Sequence, residues 1–429
     1  MEIKNIKIDN FKNLESIDII TNHKINLIVG KNNTGKTSLI QALYVTFLTK
    51  EFISFYKKEY NLSSLSSLIN YSSNKSLIEI KTNMEKPKDK IYLEISRPKF
   101  KDFMLYMQVE IDHFLEIDIK RISNLSDKLK SKKTQDFSRL FTPENNEIKS
   151  LVEEIINEMK NEIANNIKDD VIIAGKYSPS EETTKLLSEI YRQVFKKITE
   201  KIWKTIPKEY ESYLFFLPFE RKFGIIMDHM AAPESNKAQM NGGLLYINAG
   251  QINIEQFYKQ SETTAIEIQG IIKTLNILPD LERFTFRNLV FKKDGVRKEI
   301  PLEIMGEGFK VLIYIISMIL SFKNRRIKPV ILIEEPEIHM HPGYINEFVN
   351  YLIDFSINNN IQFFITTHSE DLINSFLNED LEIEIKKKLK DEFAIIRLTD
   401  INGENLVETL NYEDSLDNIN NLYLDLRGI

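Results

Sequence analysis

The chain of 429 residues has no cysteine. That absence excludes disulfide scaffolds, zinc–thiolate sites, iron–sulfur clusters and cysteine nucleophiles together, and it fits a reducing compartment. A long apolar run is lacking too. The longest, Val311–Phe322, is too short for a hydrocarbon layer of about 30 Å and reads as a buried core helix. Met1–Asn10 mixes polar and apolar residues with no continuous apolar stretch, so no signal peptide is expected there. No internal repeat is present. The expectation is a cytoplasmic protein with no membrane partner. The formal net charge of −6 argues against wholesale wrapping of nucleic acid and leaves room only for a local basic face.

What is present is an ordinary globular composition, with 42% hydrophobic and 28% charged residues on a chain long enough for two or three domains. The start reads as strand, strand, strand, helix: Ile3–Ile8, Ile17–Ile20, Asn26–Val29 ending at Gly30, then Thr37–Leu48. Leu77–Ile80 and Ile91–Ile95 alternate about a polar break and suggest a hairpin. From Lys120 to Pro207 the character changes. Leu151, Ile155, Met159, Ile163 and Ile167 recur every four residues, as do Leu186, Ile190, Val194, Ile198 and Ile202. These are amphipathic helices, separated by Asp169–Ser180. Each supports only two or three heptads, which favours a small helical subdomain packed on itself over a coiled-coil arm.

A second α/β block begins near Tyr213 with the run Tyr213–Pro218 and the loop-rich Ala231–Gly250. Strands follow around Phe284–Phe291, a helix at Gly308–Phe322, strand Val330–Ile333, helix Tyr344–Phe355 and strand Ile361–Thr366. A helix after Ser369 and a hairpin on the Asn402–Gly403 turn end the chain. The expected division is an ATPase lobe in two parts, 1–119 and 211–376, with a helical insertion at 120–210 and an extension at 377–429.

Gly30-Lys31-Asn32-Asn33-Thr34-Gly35-Lys36-Thr37 matches G-x-x-x-x-G-K-[ST] at every fixed position, after an apolar strand and opening a helix. Glycines let the backbone curl so that successive N–H groups converge on phosphates, and the helix N-terminus adds positive dipole. Lys36 is placed to reach β and γ phosphates, and the Thr37 hydroxyl to meet Mg²⁺. ATP and Mg²⁺ are the expected cofactors, and Ser38 directly follows the motif. Far along the chain, Val330-Ile331-Leu332-Ile333-Glu334-Glu335 places two carboxylates at the tip of an apolar strand, the edge where ligands gather in an open parallel sheet. Glu334 is the candidate metal ligand and Glu335 the candidate general base. Phe363–Ser369 is another buried strand that ends in polar residues, with His368 as a candidate to sense the γ phosphate or hold the attacking water.

These segments together resemble the ABC-type ATPase heads of the RecF, SMC and OLD (overcoming lysogenization defect) group. The run E-E-P-E-x-H-x-H-P at Glu334–Pro342 and T-T-H-S at Thr366–Ser369 look most like the OLD type, and I-x-N-F-K-N-L at Ile8–Leu14 is similar to the start of the group. Leu217-Pro218-Phe219-Glu220-Arg221 loosely resembles a Pro-x-x-Arg element of these families. The resemblance implies an α/β fold, an ABC-type P-loop NTPase head with mixed and parallel sheet flanked by helices and an inserted helical subdomain. It assigns the metal carboxylate to Glu334, the catalytic glutamate to Glu335, the switch histidine to His368 and the D-loop to Ile338–Pro342, which makes His339 and His341 D-loop residues. Lys12 falls where a basic residue near the phosphates is expected. Two departures stand out. Glu334 replaces the usual aspartate, and the signature reads Met305-Gly306-Glu307-Gly308-Phe309 with Gly306 in place of serine.

In such heads the signature acts on a partner's ATP, so Gly306, Glu307 and Gly308 imply a homodimer or a higher homo-oligomer. About sixty residues follow His368, too few for a Toprim nuclease, and Glu384-Ile385-Lys386 is too slight a fragment to indicate another. No nuclease domain is expected in this chain. The implied role is an ATPase subunit that controls a separately encoded effector, a nuclease, in anti-phage defence. The alternatives are a RecF-like ATPase that clamps DNA, touched by Lys130–Lys133 or Lys323–Lys328, and a non-catalytic scaffold that assembles on ATP.

Overall fold

Isoleucine, leucine, valine and phenylalanine crowd three short segments so densely that only a strand covered on both faces can accommodate them. In the computed structural model these are β3 (Ile25–Gly30), β12 (Val330–Glu334) and β13 (Gln362–Thr366), and every residue of all three is buried. The structure describes residues 2–47, 65–86, 89–107, 109–110, 146–173, 175–203, 244–248, 262–320, 330–338, 340–378, 381–401 and 404–420. Outside them lie Leu48, Tyr213–Pro218 and the Leu217–Arg221 element, residues 231–243 and 249–250 of the loop-rich stretch, Lys130–Lys133, residues 321–322, Lys323–Lys328, His339 and the Asn402–Gly403 turn.

The chain divides into two units, one formed by Met1–Thr49, Leu77–Leu93 and Ser235–Ile429, the other by Lys50–Ser76 and Glu94–Glu234. In the first, the buried strands join β8 (Leu244–Asn248), β14 (Phe393–Ile401) and β15 (Glu404–Asn411) in the order β15-β14-β3-β13-β12-β8. All neighbours are parallel except the edge strand β15, which is antiparallel to β14. The register sets the function of the sheet. Glu334 stands opposite Thr366, Thr366 opposite Ile28, and Leu398 opposite Gly30, so the strands reach one edge together. Helices α1 (Lys36–Phe47), α6 (Glu307–Leu320) and α7 (Pro342–Asn359) accompany this sheet, and Phe309, Ile316, Phe348 and Leu352 share one core with Val29, Ile333 and Phe363. The α/β class read from the sequence holds, with mixed and parallel sheets flanked by helices.

A second, antiparallel layer of this unit comprises β1 (Ile3–Phe11) paired with β2 (Leu14–Ile20) on one side and β4 (Lys75–Thr82) on the other, with Ile8 opposite both Ile17 and Ile78. A third sheet is a meander of β9 (Leu281–Phe284), β10 (Asn288–Lys293) and β11 (Val296–Pro301). Its two-residue turn is Asp294–Gly295, both at positive φ, 50° and 81°, as the tight hairpin turn requires.

In the second unit, the periodic run expected as one helix is two, α2 (Asn146–Glu158) and α3 (Lys160–Asn166). Met159 leaves helical geometry at φ −98° and ψ 9°, yet its N–H still reaches Ile155 and its carbonyl still accepts from Ile163. The helix therefore bends without losing its apolar stripe, which is why a period-four pattern runs straight through the break. Ile155, Ile163 and Ile167 pack with Leu186, Ile190 and Val194 of α4 (Glu181–Trp203) and with Phe103.

One buried side chain ties the two layers of the first unit. The amide of Gln362 accepts from the Ile3 N–H at 2.7 Å and donates to the Ile3 carbonyl at 3.0 Å and the His23 carbonyl at 3.0 Å. It acts as a borrowed peptide group, satisfying backbone that no strand partner reaches. Replacing it with leucine leaves a buried N–H without a partner. Gln362→Leu should lower the unfolding free energy in urea by about 1–3 kcal/mol, and Gln362→Glu, which cannot donate to those carbonyls, should cost more.

Candidate functional site

The chain leaves β3 through a loop that only glycine could build at its two fixed points. Gly30 has φ 149°, and a Cβ there would lie 2.2 Å from the Leu398 carbonyl oxygen of the paired strand. Gly35 has φ 103°, with its missing Cβ 2.3 Å from Leu14 Cδ2. Asn33 is left-handed as well, at φ 67°. Thr34 turns inward and donates its hydroxyl to the Lys31 carbonyl at 3.0 Å. Asn32, Asn33 and Thr37 are exposed, whereas Lys36 and Ser38 are buried. The Lys36 ammonium folds under the loop and donates to the carbonyls of Gly30 at 2.7 Å and Lys31 at 2.8 Å.

The turn between β1 and β2 supports this loop from below. Lys12 sits in it at φ 53° and reaches the Gln41 side chain. Burial pushes the Lys12 ammonium below its ordinary value, and Glu334 pulls partly the other way. Asn13 ties the loop to its helix: its amide donates to the Asn33 carbonyl at 2.8 Å, and its oxygen accepts from the Ser38 hydroxyl at 2.6 Å. Neither Asn13 nor Gln41 stood out in the sequence as a site residue. The only signal was that Asn13 lies inside the Ile8–Leu14 segment.

At the neighbouring strand tips, Glu334 is buried at the end of β12 and Glu335 turns back at φ 46°. The Glu335 N–H donates to the Thr366 carbonyl at 3.1 Å, and its carboxylate stands 3.3 Å from Nε2 of His368. Glu337, given no role in the sequence reading, returns beneath that pair. Its Oε1 accepts from the Thr367 hydroxyl at 2.6 Å and from the His368 N–H at 2.9 Å. Burial raises the Glu337 carboxyl above its ordinary value against the pull of those bonds. His341 caps α7 by accepting from the Gly343 N–H at 3.2 Å, a structural duty that explains its place before Pro342.

The structure thus brings together Lys12, Gly30, Gly35, Lys36, Glu334, Glu335 and His368 in one unit at one sheet edge. Residues 1–373 match the AAA ATPase domain family. The chain belongs to that family. Among curated relatives, it is 23% identical to an ATP/GTP phosphatase of Helicobacter pylori over 397 residues, covering 86% of each chain. It is 30% identical to the DNA replication and repair protein RecF of Francisella tularensis subsp. mediasiatica over 111 residues, 26% of this chain and 29% of that protein. Among solved structures, the SMC head domain from Thermotoga maritima aligns over 96% of this chain and 100% of its own at 12% identity and a TM-score of 0.44, too distant a likeness to argue from.

For a member of an ATPase family, the cradle fits a nucleotide. The two positions where a Cβ would collide are the ones where backbone must curl around phosphate. Thr37 and Glu334 offer hard oxygens suited to Mg²⁺. Gly306 directly precedes α6, and its carbonyl accepts from Phe309 and Lys310. Its φ lies outside the left-handed range and nothing stands within 4 Å of its missing Cβ, so packing among the described residues does not demand a glycine there. Glu307 pairs with Lys310 at 2.8 Å, and Gly308 lies in the first turn. No helix among the described residues is long and apolar enough to cross a membrane.

Burial lowers the Lys36 ammonium to about 8, with Glu335 and then Glu337 pulling it partly back. A triphosphate held by Lys36 would need the charged form, so its affinity would be full well below that value and fall as pH rises through it. Titration calorimetry with a non-hydrolysable ATP analogue should show a loss of roughly fivefold from pH 8 to pH 9. Lys36→Arg, which does not titrate there, should flatten that step.

Proposed function

We propose that the chain is an ATP-hydrolysing head that closes as a homodimer on MgATP and passes that closure to a separately encoded effector, a nuclease, in anti-phage defence. The observation that carries the chemistry is the Glu335 carboxylate at 3.3 Å from His368 Nε2, at the sheet edge shared with the Lys36 loop. On this reading the loop amides and Lys36 hold the β and γ phosphates, and Lys12 adds charge nearby. Thr37 and Glu334 hold the magnesium, which supplies charge neutralisation on the phosphates. Glu335 accepts the proton of the attacking water, and His368 holds that water or the γ phosphate in line.

Dimer closure is supported by Gly306, an exposed helix-start glycine with nothing among the described residues within 4 Å of its missing Cβ. On this reading a second copy's γ phosphate meets the N–H groups of Gly306, Glu307 and Gly308 at the start of α6. The OLD-type run Glu334–Pro342 supports the defence role. The 30% identity to RecF supports a second reading, a head that clamps DNA. Salt-sensitive duplex binding by the isolated protein would favour that one.

Turnover and mass, measured with and without MgATP, test the proposal. Wild type should hydrolyse ATP. Glu335→Gln should lose at least about 100-fold in kcat while binding ATP and doubling in mass. Lys36→Ala should bind no ATP, and Gly306→Asp added to Glu335→Gln should bind ATP as a monomer. Equal turnover by wild type, Glu335→Gln and Lys36→Ala would remove the catalytic assignment and leave a scaffold.

A further inference from the structure

Glu337 is half-buried, and its carboxylate is held in a place where a neutral acceptor would make the same hydrogen bonds. Its Oε1 takes both donors from the chain leaving β13, the Thr367 hydroxyl and the His368 N–H. Its Oε2 is buried with no hydrogen-bond partner among the described residues. The turn that brings it there is built for return. Glu335 is left-handed, and the N–H of Ile338 donates to the Glu335 carbonyl at 3.1 Å, so the chain doubles back toward the strand it has just left. Glu335 contributes its own bonds to the same neighbour, donating its N–H to the Thr366 carbonyl at 3.1 Å and the Thr366 hydroxyl at 3.3 Å. The tips of β12 and β13 are therefore joined by backbone from Glu335 and by side chain from Glu337.

We propose that Glu337 is the positioning residue of this site: by gripping the Thr367–His368 turn it fixes where the His368 ring stands against Glu335. The inference rests on reading that pair as the hydrolytic machinery. Glu337 meets His368 at its backbone N–H. It acts on the turn through that N–H; its charge also reaches Lys36 of the loop, an effect that Glu337→Ala and Glu337→Gln share. Thr367 is the second half of the grip. Its hydroxyl donates to Glu337 while accepting from the Ser369 N–H at 2.9 Å, and Ser369 in turn caps the helix α8 (Glu370–Phe376). A shift of the turn is thus resisted from both sides.

Three variants of the full chain separate positioning from bulk stability. Glu337→Ala should lower kcat at least about tenfold relative to Glu337→Gln, which loses the same charge, with KM for ATP similar in the two variants, since misplaced groups lose rate before binding. Glu337→Gln keeps an acceptor oxygen and should recover kcat to within about threefold of wild type. Thr367→Val, which removes one donor, serves if Glu337→Ala fails to fold, and should lower kcat in the same direction by less. The ring is followed directly by NMR of protein carrying ¹³Cε1-histidine, with the His368 signal assigned by His368→Gln. That signal should move in Glu337→Ala, move less in Thr367→Val and return in Glu337→Gln. A Gln variant as impaired as Ala, or a His368 signal unmoved in Glu337→Ala and Thr367→Val, overturns the proposal. If wild type hydrolyses no ATP, the hydrolytic reading fails while the ring signal still decides whether Glu337 positions His368.

Discussion

A strand covered on both faces can carry no charge along its length, because nothing there solvates or pairs one. In this protein that constraint decides where chemistry can occur. β3, β12 and β13 are buried throughout, so charge is pushed to their ends, and Asn26 inside β3 donates to the His23 and Phe363 carbonyls. The parallel register with Thr366 between Glu334 and Ile28 puts those ends on one edge. Were one of these strands antiparallel, its tip would fall on the opposite edge and the carboxylates would lie a strand's length from the loop. Hydrogen-bonded register, set by apolar packing, therefore does the positioning that the charged groups could not do for themselves.

The edge also needs closing, since strand tips expose peptide groups that the sheet no longer satisfies. Three devices close it. The β1–β2 turn supports the loop through Asn13 and fits Leu14 against Gly35. Glu335 adopts a strained left-handed backbone, a cost of about 1–3 kcal/mol, and recovers bonds to Thr366. Glu337 gathers the turn after β13. Each device joins parts of the chain far apart in sequence, so the site is stable only once the layers have assembled.

This distance explains what the sequence disclosed and what it did not. The strands were legible because Val330–Ile333 and Phe363–Ile365 are unbroken runs, and the loop because its fixed glycines and lysine have one common use. The α1 helix was found to within a residue, as was the strand ending at Glu334. The bend at Met159 was not legible, for a period-four stripe survives a kink that keeps its hydrogen bonds. The Asp294–Gly295 hairpin carried a recognisable turn signal that lay among charged residues with no clear alternation. Asn13 and Glu337 were invisible as contributors because their partners, Asn33, Ser38, Thr367 and His368, are decided by tertiary packing. A glutamate in a turn is most often solvated, and nothing local says otherwise.

Electrostatics sharpen what such an edge can hold. Glu334, Glu335 and Glu337 stand together at strand tips, and a triphosphate would add further negative charge beside them. Against this the described residues set Lys36, which already donates to two carbonyls of its own loop, and Lys12, whose ammonium burial disfavours. Lys31 of the Lys36 loop is exposed to solvent, where its charge is screened. The described residues include no cluster of three or more His, Asp or Glu side chains grouped to hold a metal alone. A divalent cation held at this edge would complete its shell with phosphate oxygens and water, as magnesium commonly does. Nucleotide and metal would then be taken up together, each making the site acceptable to the other, and the acidic edge would discourage a nucleotide without its cation.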